Sequence, residues 1–351
     1  MRQAIMTSPG HIEHKNVAKP TPNESEILIQ VKSIGVCGSD IHVNHGKHPF
    51  TSYPVIQGHE FCGIIDKVGE KITGLSRGMK VTARPQVVCK KCDPCKRGDY
   101  NVCDNLKVEG FQKSGAAQDF FITTPEKLLV LPDNLSFEAG ALVEPVSVAV
   151  HSSQRAKKIK NENVTIFGGG PIGNLIAQVI ATMGAKKILV RDISDFRLNL
   201  IQQLGNFEIS NPLNESMESA KERVFGNEGF STAFEAVGIE ATINDAIHSV
   251  NKGGEIILVG VFGEKPKVDL AILGDREINI ISSMMYKHED FEKAIDLISS
   301  NQTLGTGSTS NLLYREAGKT ESLFVNAEIF NGTTNERTYA EIFIDHDDTN
   351  T

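Results

Sequence analysis

The chain crowds four of its six cysteines into CKKCDPCKRGDYNVC, from Cys89 to Cys103. Cys89, Cys92, Cys95 and Cys103 follow the spacing C-x2-C-x2-C-x7-C. Gaps of two residues let successive thiolates turn toward one centre, and the longer gap brings in the fourth. Four soft thiolates suit a closed tetrahedral zinc site. A closed site offers substrate no open position, so this zinc is expected to hold a loop and not to react. Lys90, Lys91, Lys96 and Arg97 offset the thiolate charge. Two other readings stay open: four reduced, unbound cysteines, and an iron–sulfur cluster.

The other two cysteines lie upstream, Cys37 in IGVCGSDIH and Cys62 in GHEFCGII, where His59 and Glu60 stand side by side. Taken singly, Cys62 reads as a small core residue and His59 as a hydrogen-bonded structural histidine. An open zinc position at such a cluster would polarise an alcohol oxygen and favour loss of its proton and then of hydride.

A third constellation lies in NVTIFGGGPIGNLIAQVIATMGAKKILVRDIS, residues 163–194. Val164–Phe167 predicts a buried strand, and Ile172–Met183 is apolar at helical spacing. Between them Gly168, Gly170 and Gly173 form G-x-G-x-x-G, and the second apolar run, Ile188–Val190, ends at Asp192. This context, strand then glycines then helix then acid, marks a dinucleotide turn, with the pyrophosphate at the helix N-terminus. Asp192 is placed to accept from ribose hydroxyls and would repel a 2′-phosphate, which favours NAD over NADP. Arg191 beside it is a basic group of the kind that accommodates NADP. A plain strand-to-helix connection is the alternative reading of the glycines.

Taken in order, GVCGSDIH, GHEFCG, the cysteine loop and the glycine turn resemble the zinc-dependent medium-chain dehydrogenases over roughly residues 1–300. LVEPVSVAVH, Leu142–His151, is similar to the polyol branch, which includes sorbitol and iditol dehydrogenases. The resemblance implies two zinc ions per chain, one structural and one catalytic. It implies that Cys37 and His59 hold the catalytic zinc, with Glu60 and Glu144 completing or flanking the shell. Glu144 stands where simpler alcohol dehydrogenases carry a second cysteine, which makes the site harder. One glutamate binds directly and the other acts through water; which does which stays open. Ser39 would take the alcohol proton and His42 pass it to solvent by way of the cofactor ribose; a turn residue and a surface histidine are the plainer readings. Asp40 orients the site or caps a turn, and His45 and His48 read as surface or pocket-rim groups. The resemblance further places Arg197 at the ribose, Val259 and Val261 near the nicotinamide, and Tyr286 near substrate or in the core. It suggests a homodimer or homotetramer.

The elements that must position these residues divide in two. A length of 351 residues fits two domains. The fold class expected is α/β: a GroES-like, mostly-β catalytic domain over 1–150, a doubly wound Rossmann NAD-binding domain over 151–286, and a return segment over 287–351. Phe207–Ser210, Ser231–Ala236, Glu255–Val261 and Glu277–Ser282 complete six strands with the two already named, and Ala241–Val250 predicts a helix between them. MMYKHEDFEKAIDLISS, 284–300, reads as an amphipathic helix. Past it the resemblance stops. Residues 301–351 hold no proline, and 18 of the 51 are Ser, Thr or Asn. AEIF at 327–330 and again at 340–343 reads as two short strands, in a tail that is either divergent or out of frame.

A net charge of -8, with Lys157, Lys158 and Lys160 as the densest basic cluster, argues against a nucleic-acid partner. No apolar window is long enough for a membrane span, and MRQAIMTSPG lacks a signal-peptide core. The expected location is the cytoplasm, where thiols stay reduced and serve as ligands. The sequence thus predicts a zinc-dependent oxidoreductase that moves a hydride from a secondary alcohol of a polyol or sugar derivative to NAD. Threonine, butanediol or sugar-acid dehydrogenation is the near alternative. A zinc- and dinucleotide-binding protein impaired by its tail is the distant one.

Overall fold

The computed structural model describes residues 1–300; the two AEIF segments and the rest of the tail lie outside the described residues. The described chain forms two compact units, one of Met1–Glu144 with Lys287–Ser299, the other of Pro145–Tyr286.

In the first unit a hairpin of β1 (Arg2–Ser8) and β2 (His11–Asn16) precedes β3 (Ile27–Gly35), the short helix α1 (Gly38–Asn44) and β4 (Glu60–Val68). Then come β5 (Lys80–Ala83), β6 (Gln86–Val87), α2 (Asp93–Lys96), β7 (Lys107–Val108), β8 (Phe120–Thr123), β9 (Leu128–Val130) and α3 (Phe137–Ala141). β8, β3, β4, β5 and β9 form one antiparallel sheet in that order. Its core is aliphatic and aromatic: Ile27, Ile29 and Val31 from β3 pack with Phe61, Ile65, Val81 and Phe121. Burial of these β-branched and aromatic side chains is what makes the strands favourable here. The register matters for function. Gly35, the last residue of β3, pairs with Glu60, the first of β4. Cys37, two residues past the strand, is thereby carried to the same sheet end as His59 and Glu60.

The division between the units falls inside α4 (Val143–Arg155), just after Glu144 in its first turn, and the second unit then alternates strand with helix. Its elements are β10 (Asn163–Phe167), α5 (Pro171–Thr182), β11 (Lys187–Arg191), α6 (Asp195–Leu204), β12 (Glu208–Ser210), α7 (Met217–Phe225), β13 (Thr232–Glu235), α8 (Glu240–Ser249), β14 (Glu255–Leu258), α9 (Leu270–Asp275) and β15 (Asn279–Ser282). The six strands are all parallel, in the order β12-β11-β10-β13-β14-β15. The sequence order reverses at β10, and in doubly wound sheets that reversal opens the ligand crevice. β14 stops three residues short of the predicted Val261, because the Val259 and Gly260 N–H groups both donate to the Glu235 carbonyl at 2.8 Å. β15 begins two residues later than predicted, at Asn279.

The chain then returns to the first unit as α10 (His288–Ser299), which buries Phe291, Ala294, Ile295 and Ile298 at helical spacing. It starts four residues later than the apolar pattern predicts. The Lys287 ammonium pairs with Asp99 at 2.9 Å, and the His288 N–H donates to the Tyr100 hydroxyl at 2.5 Å. No described helix is long and apolar enough to cross a membrane.

Candidate active site

The Cys37 sulfur, a His59 ring nitrogen and a Glu60 carboxylate oxygen lie within 4.8 Å of one another. His59 and Glu60 are buried, and so is Glu144. Asp40, in the first turn of α1, ties the group together. Its carboxylate accepts from the Cys37 N–H at 3.0 Å and from the Gln57 amide at 3.0 Å. It also stands 3.7 Å from His59 Nδ1. That nitrogen is buried and has no hydrogen-bond partner among the described residues.

The electrostatics show what the cluster lacks. Burial pushes the Cys37 thiol up. Burial, and next the Glu144 carboxylate, push Glu60 up to about 8. Burial alone would lower His59, but the Asp40 carboxylate, then Cys37 and Glu144, hold it well above the usual imidazole range. Three carboxylates and a thiol share one histidine as counter-charge. Buried charge in that excess calls for a cation. A thiolate, an imidazole and a carboxylate form a donor set that zinc accepts. Zinc fits these residues.

Ser39 lies half-buried in the first turn of α1, and His42 is exposed further along the same helix. The Ser39 hydroxyl makes no hydrogen bond among the described residues. His48 stacks on Phe111 with ring centroids 4.5 Å apart. Burial, then the charges of His42 and His59, lower its basicity. Phe111 in turn meets the His59 ring at 4.9 Å. Cys62 is fully buried, its thiol pushed up to about 12 by burial, as a core residue's would be. Tyr286 is fully buried as well.

The sulfurs of Cys89, Cys92, Cys95 and Cys103 also lie within 4.8 Å of one another. Backbone N–H groups point at them: Cys92 at the Cys89 sulfur (3.4 Å), and Cys89 and Asn105 at that of Cys103 (3.3 and 3.4 Å). Donors so placed favour thiolate over thiol, and the Lys91 and Cys92 N–H groups lower Cys89 to about 6. Burial, then hydrogen bonds with Cys92 and Cys103, push the Cys95 thiol up to about 12, so four thiolates together need a cation among them, and a tetrahedral zinc fits that need.

At the glycine turn, a Cβ on Gly173 would stand 1.8 Å from the Gly168 carbonyl, so only glycine lets α5 start this close to the strand. A Cβ on Gly170 would meet nothing within 4 Å, which leaves an open face at the helix N-terminus. Asp192 is buried at the end of β11. Its carboxylate accepts from the Gly169 and Ser194 N–H groups, both at 2.8 Å, and from Arg197 at 3.3 Å. Arg191 points elsewhere: it donates to the Ser210 hydroxyl (2.6 Å) and the Glu215 carbonyl (3.1 Å). Val259 is half-buried and Val261 is 85% exposed.

Three contributors escape sequence reasoning. Gln57 braces Asp40 from two residues before His59. Phe111 packs on the His59 ring from a distant loop. Gly35 leaves room for Glu60, since a Cβ there would stand 2.2 Å from Glu60 Oε2. Their signals are a distance across a register or a contact between loops, neither of which is local in the chain.

Comparison with known proteins matches residues 23–133 to the alcohol dehydrogenase GroES-like domain and residues 171–300 to the zinc-binding dehydrogenase family. The 2-dehydro-3-deoxy-L-galactonate 5-dehydrogenase of Pseudoalteromonas atlantica is 33% identical over 80% of this chain and 82% of its own. The D-xylulose reductase of Saccharomyces cerevisiae is 31% identical over 85% and 86%. The crystal structure of galactitol-1-phosphate dehydrogenase from Escherichia coli superposes with a TM-score of 0.79 at 27% identity, covering 86% of this chain and 89% of that one.

Proposed function

This chain belongs to the zinc-binding, GroES-like alcohol dehydrogenase family, and from that premise we propose that it oxidises a secondary alcohol of a polyol or sugar derivative with NAD. The observation that carries the reading is the convergence of Cys37, His59 and Glu60 on one buried, acid-rich point. Bound there, zinc supplies Lewis acidity toward an alcohol oxygen, while NAD at the glycine turn supplies the hydride acceptor.

The chain's own residues do the rest. Cys37, His59 and Glu60 hold the metal, and Glu144 stands beside them as a second carboxylate. Asp40 fixes Cys37 through its N–H and faces His59. Ser39 accepts the proton of the substrate hydroxyl, and His42 releases it to solvent. The balance is one hydride to NAD and one proton to water for each alcohol converted to a carbonyl. Gly168, Gly170 and Gly173 admit the pyrophosphate, Asp192 and Arg197 take the adenosine ribose, and Val259 and Val261 flank the nicotinamide. NAD is preferred to NADP because Asp192 would face a 2′-phosphate while Arg191 is engaged by Ser210 and Glu215. Cys89, Cys92, Cys95 and Cys103 hold the structural zinc. The division 1–150, 151–286 and 287–351 belongs to the same proposal, as do a cytoplasmic location and a homodimer or homotetramer.

The test is NADH formation by zinc-loaded protein over sorbitol, iditol, galactitol, xylitol, butanediol and threonine, with NADP as control. Two zincs per chain and activity on a polyol are expected. A protein that holds both zincs and binds NAD, yet turns over no secondary alcohol, would sink the reading.

A further inference from the structure

We propose that His48 is a positioning residue for the metal site: stacked on Phe111, it holds the His59 ring at the angle a metal ion needs. The inference rests on the dehydrogenase reading above and concerns how that site keeps its metal.

A metal-bound imidazole is ordinarily oriented by a hydrogen bond from its second ring nitrogen. His59 lacks that bond. Its Nδ1 is buried, stands 3.7 Å from the Asp40 carboxylate and has no hydrogen-bond partner among the described residues. At that distance the Asp40 charge attracts the ring but does not fix its plane, because a hydrogen bond needs a closer, directed approach.

Packing does what the hydrogen bond does not. The Phe111 ring lies 4.9 Å from the His59 ring, tilted by 49°. An imidazole turning about its Cβ–Cγ bond would sweep into that volume, so the angle of His59 is only as fixed as Phe111. Phe111 is itself buried, in a cluster with Met6, Val43 and Val55. One face of its ring carries His48, 4.5 Å away and close to parallel at 19°. His48 is held in turn. The Thr51 hydroxyl stands 2.7 Å from its Nδ1, and the Phe50 ring lies edge-on to it at 6.2 Å and 78°. Burial, then the charges of His42 and His59, lower its basicity, so near neutral pH it stacks as an uncharged aromatic ring. Thr51, His48, Phe111 and His59 thus form a column within the first unit, from the segment after α1 to the residue just before β4. The effect of His48 on the metal passes through Phe111.

The test uses full-length protein as wild type, His48→Ala and His48→Phe. Zinc affinity is read by competition with a coloured chelator, and the geometry of the site by the visible absorption bands of cobalt exchanged into it. The cysteine cluster, which none of the changes touches, is the internal control. His48→Ala should weaken zinc binding at Cys37, His59 and Glu60 about tenfold and shift the cobalt bands, with NAD affinity and the circular dichroism spectrum unchanged. His48→Phe keeps a flat ring on Phe111 and should recover most of both. Wild-type affinity and bands in His48→Ala overturn the proposal. So do equal losses in His48→Ala and His48→Phe, which would make the imidazole itself, and not the stack, the group that matters. A wild type with no metal at this site overturns it as well. Metal affinity that follows the stack, in a protein that oxidises no secondary alcohol, sustains the proposal and sinks the dehydrogenase reading instead. Turnover of a polyol with metal binding indifferent to the stack does the reverse.

Discussion

Gly35 has no functional group, yet the site needs it. A Cβ there would lie 2.2 Å from Glu60 Oε2 and 2.9 Å from Glu60 Cβ, with the two residues paired across β3 and β4. Alanine would be tolerated by the strand but would move the carboxylate. For Gly35→Ala we expect an unchanged far-ultraviolet circular dichroism spectrum, zinc content falling from two toward one per chain, and kcat/KM lower by about 10–100-fold. Full zinc occupancy with full activity would show that Glu60 is not held where the metal needs it. Cys37, His59 and Glu60 are legible in the sequence because their types and neighbours announce chemistry. Gly35 and Gln57 are not, because their roles exist only once the sheet register and the Asp40 hydrogen bonds have formed.

Elements carry these residues, and two of them can be broken separately. The cysteine loop between β6 and β7 has little apolar burial, and α2 is four residues long with nothing buried. Such a loop depends on its metal for shape. Cys95→Ser should lose one zinc, lower the melting temperature of the zinc-loaded protein by several degrees and leave NADH binding intact. A loop that keeps its zinc and its melting temperature would remove the structural role. In the second unit, Glu235 at the end of β13 is fully buried. Its Oε1 accepts from the Val237 N–H (3.0 Å), the Gly238 N–H (2.8 Å) and the Thr242 hydroxyl (2.7 Å). Its backbone carbonyl takes Val259 and Gly260. One residue thus sets both the β13 turn and the end of β14. Glu235→Ala would leave buried donors unpaired at about 1–3 kcal/mol each, and NADH affinity measured by fluorescence should fall with stability. Glu235→Gln, which keeps an acceptor oxygen, should recover part of both. The strands themselves were legible from apolar runs between glycines. Where β14 ends was not, because the reason is a carbonyl on another strand.

At the scale of the whole molecule, the response to pH depends on which neighbours each carboxylate has, and a net charge of -8 is blind to that. Two glutamates outside the metal site have opposite settings. In the first unit, burial pushes Glu109 up from 4.5 to about 7 although Lys127 opposes it. Its contribution is fully present below about 4.5 and is lost as pH rises through about 7, because the unfolded chain ionises first. In the second unit, Arg223 pulls Glu215 down from 4.5 to about 2. The guanidinium grips it through two bonds, at 2.8 and 2.9 Å. The folded state here holds the carboxylate more strongly, so the contribution is present above about 4.5 and is lost as pH falls toward about 2. The Glu215 shift corresponds to about 3 kcal/mol, and partial solvent screening reduces what folding realises. Arg223→Met should therefore lower stability at neutral pH by about 1–2 kcal/mol while leaving it little changed near pH 2, flattening the acid limb. Glu109→Gln should do the converse, removing the loss between about 4.5 and 7 and leaving the acid limb in place. Denaturant unfolding of both variants across pH separates the two, since each should flatten one limb and spare the other. If both variants gave the wild-type slope, neither carboxylate would be set by its neighbours, and the acid sensitivity would belong to the thiolates and carboxylates of the metal sites.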